Sequence, residues 1–253
     1  MSTIGIIFKK EDPLIAGTAR QVARELEKKG YKINGERAEF MITLGGDGTI
    51  LRAARLLAKK KIPVLGIHLG GLGFLSEIEL HQLDEALTKI KHGKYTVEER
   101  TMIEAQVGSR RLVALNDIVI SNSGIARVIR LEIQGLAEYV SDGIIFSTAT
   151  GSTAYNLSAG GPILTPDSHS IVISPICPHS ISVRSLVVEK PVTAVLNRGK
   201  QAILTADGQQ MVSLREGAKI RLQRAADKTR FIRLEGYDFF ARVKEAFGFG
   251  TRL

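Results

Sequence analysis

Residues 41–57, MITLGGDGTILRAARLL, constrain this chain more than any other stretch. A short apolar run (Met41, Ile42, Leu44) meets Gly45, Gly46, Asp47 and Gly48, and then Ile50, Leu51, Ala54, Leu57 and Ala58 recur at helical spacing. A strand that turns so abruptly into a helix places unpaired backbone N–H groups and the positive end of a helix dipole beside a tight turn. Phosphate binds well there, and glycines let it approach the backbone without meeting a Cβ. Thr49 adds a hydroxyl at the helix start, and Arg52 and Arg55 add positive charge. Asp47 is the anomaly. A carboxylate at an anion-binding turn repels the ligand, which points to a base or a cation contact in phosphoryl transfer. Gly-Asp-Gly alone is also ordinary turn chemistry, and only the flanking strand and helix favour the phosphate reading.

The surrounding pattern sets the fold class. Residues 2–8 read as a strand, 13–29 as a helix closed by Gly30, 40–44 as a strand, 50–60 as a helix, 62–68 as a strand and 80–91 as a helix. Alternating strands and helices imply a doubly wound parallel sheet with ligands beyond the strand carboxyl ends, where the Asp47 turn lies. From about residue 95 the texture changes to β-rich runs at 97–107, 112–121, 128–133, 144–148, 170–173, 186–188, 193–196, 202–206, 219–224 and 229–234. Turn signals such as Asp207-Gly208 and Glu216-Gly217 separate them, which describes an antiparallel β domain. Residues 239–247 carry the spacing of an amphipathic helix. The expected organisation is therefore an α/β domain over 1–95, a β-rich domain over 96–235, and a helix and tail over 236–253 that pack back on the first domain.

Composition narrows the function. The 253 residues carry a formal net charge of +9, with 44% hydrophobic and 24% charged residues, as in an ordinary soluble protein. The basic residues are spread along the chain, clustering only at Lys59-Lys60-Lys61 and Arg110-Arg111. No nucleic-acid recognition motif accompanies them, so small polyanions are the expected partners, with no nucleic acid and no membrane. The lone Cys177 suits a reducing cytoplasm, and its neighbours Pro175, Ile176 and Pro178 suggest a buried small hydrophobe. Histidine spacing gives no zinc site, and Ser152 and Ser158 lack the pattern of a hydrolase nucleophile.

Three further stretches carry polar chemistry. Asn116-Asp117 interrupts the apolar run Leu115–Ile120, either at a strand end facing a cleft or as a turn between strands. Residues 147–162, STATGSTAYNLSAGGP, are dense in small and hydroxyl side chains with one aromatic, suited to a flat polar ligand. Asp207-Gly208-Gln209 reads as a hairpin turn.

Together these motifs resemble the NAD kinase family over nearly the whole chain: LGGDGT (44–49), PVLGIHLGGLGFL (63–75), LNDIVI (115–120), SDGIIFSTATGSTAYNLSAGGP (141–162), SPICPHSISVRSLVV (174–188) and ADGQ (206–209). GGDGT is shared with lipid kinases, whereas the TGSTAYNLSAGGP run is far more specific. The resemblance implies an NAD kinase/diacylglycerol kinase-like fold with the site between two domains. It implies transfer of the ATP γ-phosphate, with polyphosphate as an alternative donor, to the 2′-hydroxyl of the NAD adenosine ribose.

By the same resemblance, Asp47 would be the base and Gly45, Gly46, Gly48 and Thr49 would line the phosphates. Asn116 and Asp117 would hold ribose hydroxyls, and Asp142, Thr150, Thr153, Ala154, Tyr155 and Ser158 would surround the adenine and nicotinamide ends. Arg52, Arg127 and Gln209 match basic and glutamine ligand contacts. Mg²⁺ or another divalent cation would ride on the donor phosphates without an assigned protein ligand, and a homodimer or homotetramer is implied. Three positions depart from the family pattern: Asp117 stands where many members have Glu, His68 where Asn is frequent, and Val140 where some carry a basic residue. The competing readings are a non-catalytic dinucleotide sensor and a lipid kinase of the same superfamily.

Overall fold

The structure, a computed structural model, describes residues 2–70, 73–124, 128–180, 182–199 and 201–248. The contact proposed for Arg127 lies outside the described residues. The chain forms two compact units, one of residues 1–99 with 229–253 and the other of residues 100–228.

In the first unit, β1 (Thr3–Phe8), α1 (Pro13–Lys28), β2 (Lys32–Ile33), β3 (Phe40–Leu44), α2 (Asp47–Leu57), β4 (Val64–His68), β5 (Ile78–Glu79), α3 (Leu83–Lys91) and β6 (Tyr95–Arg100) follow one another. Local chemistry fixes their ends. Asp12 accepts from the Leu14 and Ile15 N–H groups at 3.1 and 3.2 Å, with Pro13 opening α1, an arrangement worth about 1 kcal/mol to a helix. Gly30 closes the helix at a positive φ of 87°, where L side chains are disfavoured. Strands β2, β1, β3 and β4 pair in that order, all parallel, through registers such as Ile42↔Leu65.

Helices α1 and α3 bury Ala19, Val22, Leu26, Ala86 and Leu87 with Ile42, Leu44, Leu65 and Ile67 of one sheet face. Helix α2 covers the other face: Ile50 sits over Gly66, whose direction alternates with that of Leu65 and Ile67. Helices on both faces of a parallel sheet make the expected doubly wound arrangement.

The second unit contains β7 (Ile103–Val107), β8 (Arg110–Ala114), β9 (Asp117–Asn122), β10 (Ile129–Ile133), β11 (Ala137–Ser141), β12 (Gly143–Ser147), the one-turn helix α4 (Tyr155–Ser158), β13 (Ile171–Ile176), β14 (Leu186–Val188), β15 (Val192–Arg198), β16 (Ala202–Ala206), β17 (Gln210–Leu214) and β18 (Lys219–Arg224). They form two antiparallel sheets, ordered β11-β10-β15-β18-β7-β8 and β14-β13-β12-β9-β16-β17. Alternate residues of both sheets, among them Leu131, Ala194, Leu222, Ile118, Phe146 and Leu204, meet in one core cluster.

Strands β2, β5, β11 and β17 are absent from the sequence reading, and three further segments differ from it in their topology. The single run expected over 97–107 is two strands, β6 and β7, in different sheets, broken at Thr101-Met102. The run over 112–121 likewise divides into β8 and β9, which lie in different sheets, with a corner at Leu115-Asn116. Strand β19 (Thr229–Leu234), expected in the β-rich domain, pairs in parallel with β4 through Phe231↔Val64 and stands between β4 and β6 in the first sheet. Phe231, Ile232, Arg233 and Leu234 are all buried, as befits a strand covered on both faces rather than an alternating half-exposed one.

After β19 comes α5 (Phe239–Phe247), capped by Asp238, which accepts from the Phe240 and Ala241 N–H groups. Cys177, expected to be buried, is exposed and takes a positive φ of 45°. Strand β13 ends at Ile176, so the next residue turns out of the sheet. Among the described residues no helix is long and apolar enough to cross a membrane.

Candidate active site

Within the first unit, the site is built at the carboxyl end of β3. Gly45 takes φ +143° and donates its N–H to the Ile67 carbonyl at 3.1 Å. A side chain is doubly barred at that position, by the backbone angle and because its Cβ would press on Thr49. Gly46 precedes α2 in an extended conformation, with no side chain capping the helix start. Gly45, Gly46, Asp47, Gly48 and Thr49 are therefore contiguous at the helix N-terminus, as the spacing predicts, and Arg52 follows half-buried within the next two turns.

Asp47 does not cap its own helix. Its Oδ2 accepts the Phe74 N–H at 3.0 Å and its Oδ1 the Leu75 N–H at 3.3 Å. Gly73 makes this possible, since a Cβ there would overlap Asp47 Oδ1. Burial raises the Asp47 carboxyl above its usual range, while the Leu75 and Phe74 N–H groups, Arg242 and His68 oppose that rise. The result is a carboxylate of increased basicity whose oxygens are fixed in direction.

His68 closes β4 beside this turn and is 4% exposed. Its Nδ1 donates to the Gly70 carbonyl at 2.7 Å, assigning the proton to that nitrogen. Its Nε2 lies 3.8 Å from Glu79 Oε1. Sequence reading assigned no role to Phe74, Leu75 or Arg242. GLGFL (71–75) was visible only as part of a family motif, and nothing local connects Arg242 to it.

The second unit has its own polar centre, at the corner between β8 and β9. Asp207 stands in the β16–β17 turn with φ 51°, followed by Gly208 with φ 62°, the left-handed pair of a tight hairpin. Its carboxylate accepts N–H groups from Leu115 (3.1 Å), Asn116 (2.7 Å) and Asp117 (3.4 Å). In return the Asp207 N–H donates to the Asp117 carbonyl at 3.0 Å. Asp207-Gly208 is thus the expected hairpin and also the anchor of the Asn116-Asp117 corner, a role that turn chemistry alone does not reveal. Gln209 sits exposed in the same turn.

Asn116 and Asp117 combine both of the alternatives open in the sequence: a corner between strands, with side chains in a costly setting. Asn116 Oδ1 is buried with no partner among the described residues, which marks it for a donor that none of them supplies. Asp117 is 6% exposed, and burial, then the neighbouring Asp207 carboxylate, push it up to about 7 from 3.8.

That shift sets a stability profile. The folded pKa lies above the unfolded one, so the Asp117 contribution is fully present below pH 3.8 and is lost as pH rises to about 7. At most about 4 kcal/mol is involved. Asp117→Asn should therefore raise the melting temperature at pH 8 and do so much less at pH 5. Parallel calorimetric melts at the two pH values read this directly, and an equal effect at both would contradict it.

The 147–162 run is pinned, not a linker. Thr148 donates its N–H to the Asn116 carbonyl at 2.9 Å and its hydroxyl to the Leu115 carbonyl at 2.5 Å. Ser174 donates to Asn156 Oδ1 at 2.7 Å, and Asn156 Nδ2 donates to the Ser152 and Pro162 carbonyls. Thr150 is buried and takes Arg100 Nη1 on its hydroxyl at 3.3 Å. Thr153 and Ala154 are partly exposed, and Tyr155 and Ser158 face solvent.

The structure thus brings Asn116, Asp117, Thr150 and Gln209 to one end of the sheet holding β9, β12 and β16. Asp142 is not with them. It precedes β12 at Gly143, whereas Ser147, paired with Asp117, closes that strand, about 16 Å further on.

Comparison with known proteins places this arrangement. The ATP-NAD kinase N-terminal domain family matches residues 18–95 and the ATP-NAD kinase C-terminal domain family matches residues 115–234. The chain is 40% identical to the NAD kinase of Moorella thermoacetica, covering 97% of this chain and 89% of that protein. It is 35% identical to the NAD kinase of Syntrophotalea carbinolica over the full length of both.

Among solved structures, an Archaeoglobus fulgidus NAD kinase in complex with ATP superposes with TM-score 0.77 at 26% identity, covering 97% of each chain. Yeast NADH kinase complexed with NADH superposes at 0.89 and 22% identity, covering all of this chain and 89% of that one, a likeness of fold. With a glycine turn presenting a held aspartate, both family domains matched in order and relatives alike from end to end, the chain belongs to the NAD kinase family.

Proposed function

We propose that this protein is an NAD kinase, transferring the γ-phosphate of ATP to the 2′-hydroxyl of the adenosine ribose of NAD to give NADP. One observation carries the reading: Asp47, at the head of α2 within a glycine phosphate turn, is half-buried, raised in pKa and aimed by two backbone N–H groups. That is the condition of a general base poised closer to neutral pH than a free aspartate. In the reaction Asp47 takes the proton of the ribose hydroxyl as that oxygen bonds to the γ-phosphorus. The bond from phosphorus to the bridging oxygen breaks, and ADP leaves with the electron pair.

The α2 N-terminus with Gly45, Gly46, Gly48 and Thr49 receives donor phosphates, and Arg52 adds charge. Asn116 and Asp117 accept ribose hydroxyls; Asn116 Oδ1 is a buried acceptor without a partner among the described residues. Thr150, Thr153, Ala154, Tyr155, Ser158 and Gln209 are assigned to the bases and the remaining contacts of the dinucleotide, whereas Asp142, at the opposite end of β12, is left out of this set. The solved relative with ATP supports ATP as donor, with polyphosphate the alternative.

Among the described residues no three His, Cys, Asp or Glu side chains converge as a metal cage. Mg²⁺ fits such a site as an ion that keeps its waters and rides on the donor's phosphates. Bound there it neutralises charge on the transferring group. Cytoplasmic residence and a homodimer or homotetramer complete the reading.

The test is NADP formation by the purified chain given NAD, ATP and Mg²⁺, followed with an NADP-specific dehydrogenase. NADP should accumulate only with all three present. Retained NAD binding without NADP from either ATP or polyphosphate would replace the kinase by a sensor.

A further inference from the structure

The segment that holds Asp47 is itself held from the far end of the chain. Arg242, on α5, donates from Nη1 to the Gly73 carbonyl at 3.3 Å and from Nη2 to the Glu77 carbonyl at 3.5 Å. Those carbonyls bracket Phe74 and Leu75, whose N–H groups lie on the Asp47 carboxylate. The Phe74 ring is gripped by the same helix, edge-to-face against Phe239 and stacked on Phe247, each with centroids 5.8 Å apart. Helix α5 therefore fixes both ends and the middle of the strip that aims Asp47.

We propose that Arg242 is a positioning residue for Asp47: its guanidinium locks the Phe74–Leu75 N–H pair in place by holding the carbonyls on either side of it, and sets a permanent positive charge near the carboxylate. The proposal rests on the reading of Asp47 as the base. The groups acting electrostatically on Asp47 are Arg242 from α5 and His68 from β4. Glu77, on the same strip, has its carboxylate occupied by Arg233 Nη1 and the Leu234 N–H, both at 2.8 Å. Arg242 is thus the member of the set whose guanidinium is permanently charged.

Three substitutions separate its two roles. Arg242→Ala removes both the fork and the charge, Arg242→Gln keeps a donor for Gly73 without charge, and Arg242→Lys keeps the charge without the fork. Arg242→Ala should lower kcat roughly 10- to 100-fold, with smaller changes in KM for NAD and ATP. It should also speed amide hydrogen exchange at Phe74 and Leu75 and move the acid limb of the kcat profile to higher pH.

Lysine should hold the acid limb near that of the parent, whereas glutamine should move the limb and spare the exchange rates. Gln and Lys are both good helix formers, so they carry the test if the alanine protein folds poorly. An unmoved acid limb in both Arg242→Ala and Arg242→Gln, with parental kcat and exchange, overturns the proposal while leaving the base intact. Full turnover by Asp47→Asn instead overturns the reading on which it rests.

Discussion

Asp47→Asn should fold as the parent does and lose about 10²- to 10⁴-fold in kcat, the usual worth of a positioned general base. Asparagine fills the same space, and its carbonyl oxygen can accept one of the two N–H groups from Phe74 and Leu75. Its amide nitrogen then faces the other N–H, donor against donor, at a cost of about 1–3 kcal/mol. Partly offsetting that cost, the variant no longer ionises a half-buried carboxyl that the fold holds above its usual pKa. A thermal melt near that of the parent, with turnover nearly gone, is the expected pair of results. Retained turnover in a folded protein removes Asp47 as base. In the parent, kcat should fall as pH drops through the raised Asp47 pKa, because only the carboxylate takes a proton.

Asp207→Ala should produce the largest stability loss of any single substitution considered. Three buried-corner N–H groups, of Leu115, Asn116 and Asp117, lose their acceptor, and alanine must also adopt a φ of 51° that aspartate tolerates better. Unsatisfied donors cost about 1–3 kcal/mol each, and relaxation of the corner recovers part, leaving about 3–5 kcal/mol. For a chain of this size that is a fall of about 10 °C in melting temperature. Asp207→Asn keeps the left-handed turn and one acceptor oxygen and should lose less. Both substitutions remove the like charge beside Asp117, so its titration should move down from about 7. A melt indistinguishable from the parent's would mean that water takes over the three donors.

The elements and glycine turn of the first unit are legible because their signals are local. Pro13 and Gly30 punctuate α1, and apolar residues at helical spacing define α2 and α3. The Asp47 turn announces itself by residue type alone. What the sequence conceals is side-chain chemistry reaching across the chain. Asp207 meets Asn116 from 91 residues away, and Arg242 meets Gly73 from 169. Asp-Gly in a hairpin and an arginine on an amphipathic helix look the same whether or not they serve a distant backbone. Strand β19 is hidden for a related reason: its composition fits either sheet, and only pairing with β4 decides. The corner at Leu115-Asn116 is only half legible: Asn116-Asp117 permits a turn, but the apolar runs on either side, which feed one core, read as a single strand.

The place of β19 bears on how the chain comes off the ribosome. Residues 1–99 cannot complete their sheet, because the strand between β4 and β6 is residues 229–234, synthesised after the whole β unit. Until it arrives, the Val64 end of β4, beyond the part paired with β5 at Ile67 and His68, carries unpaired backbone groups on an apolar edge that invites pairing with another nascent chain. The β unit, contiguous over residues 100–228, has no such wait. Translation order and folding order are thus inverted: the part that begins first is sealed last, and chaperone demand falls on the amino-terminal third.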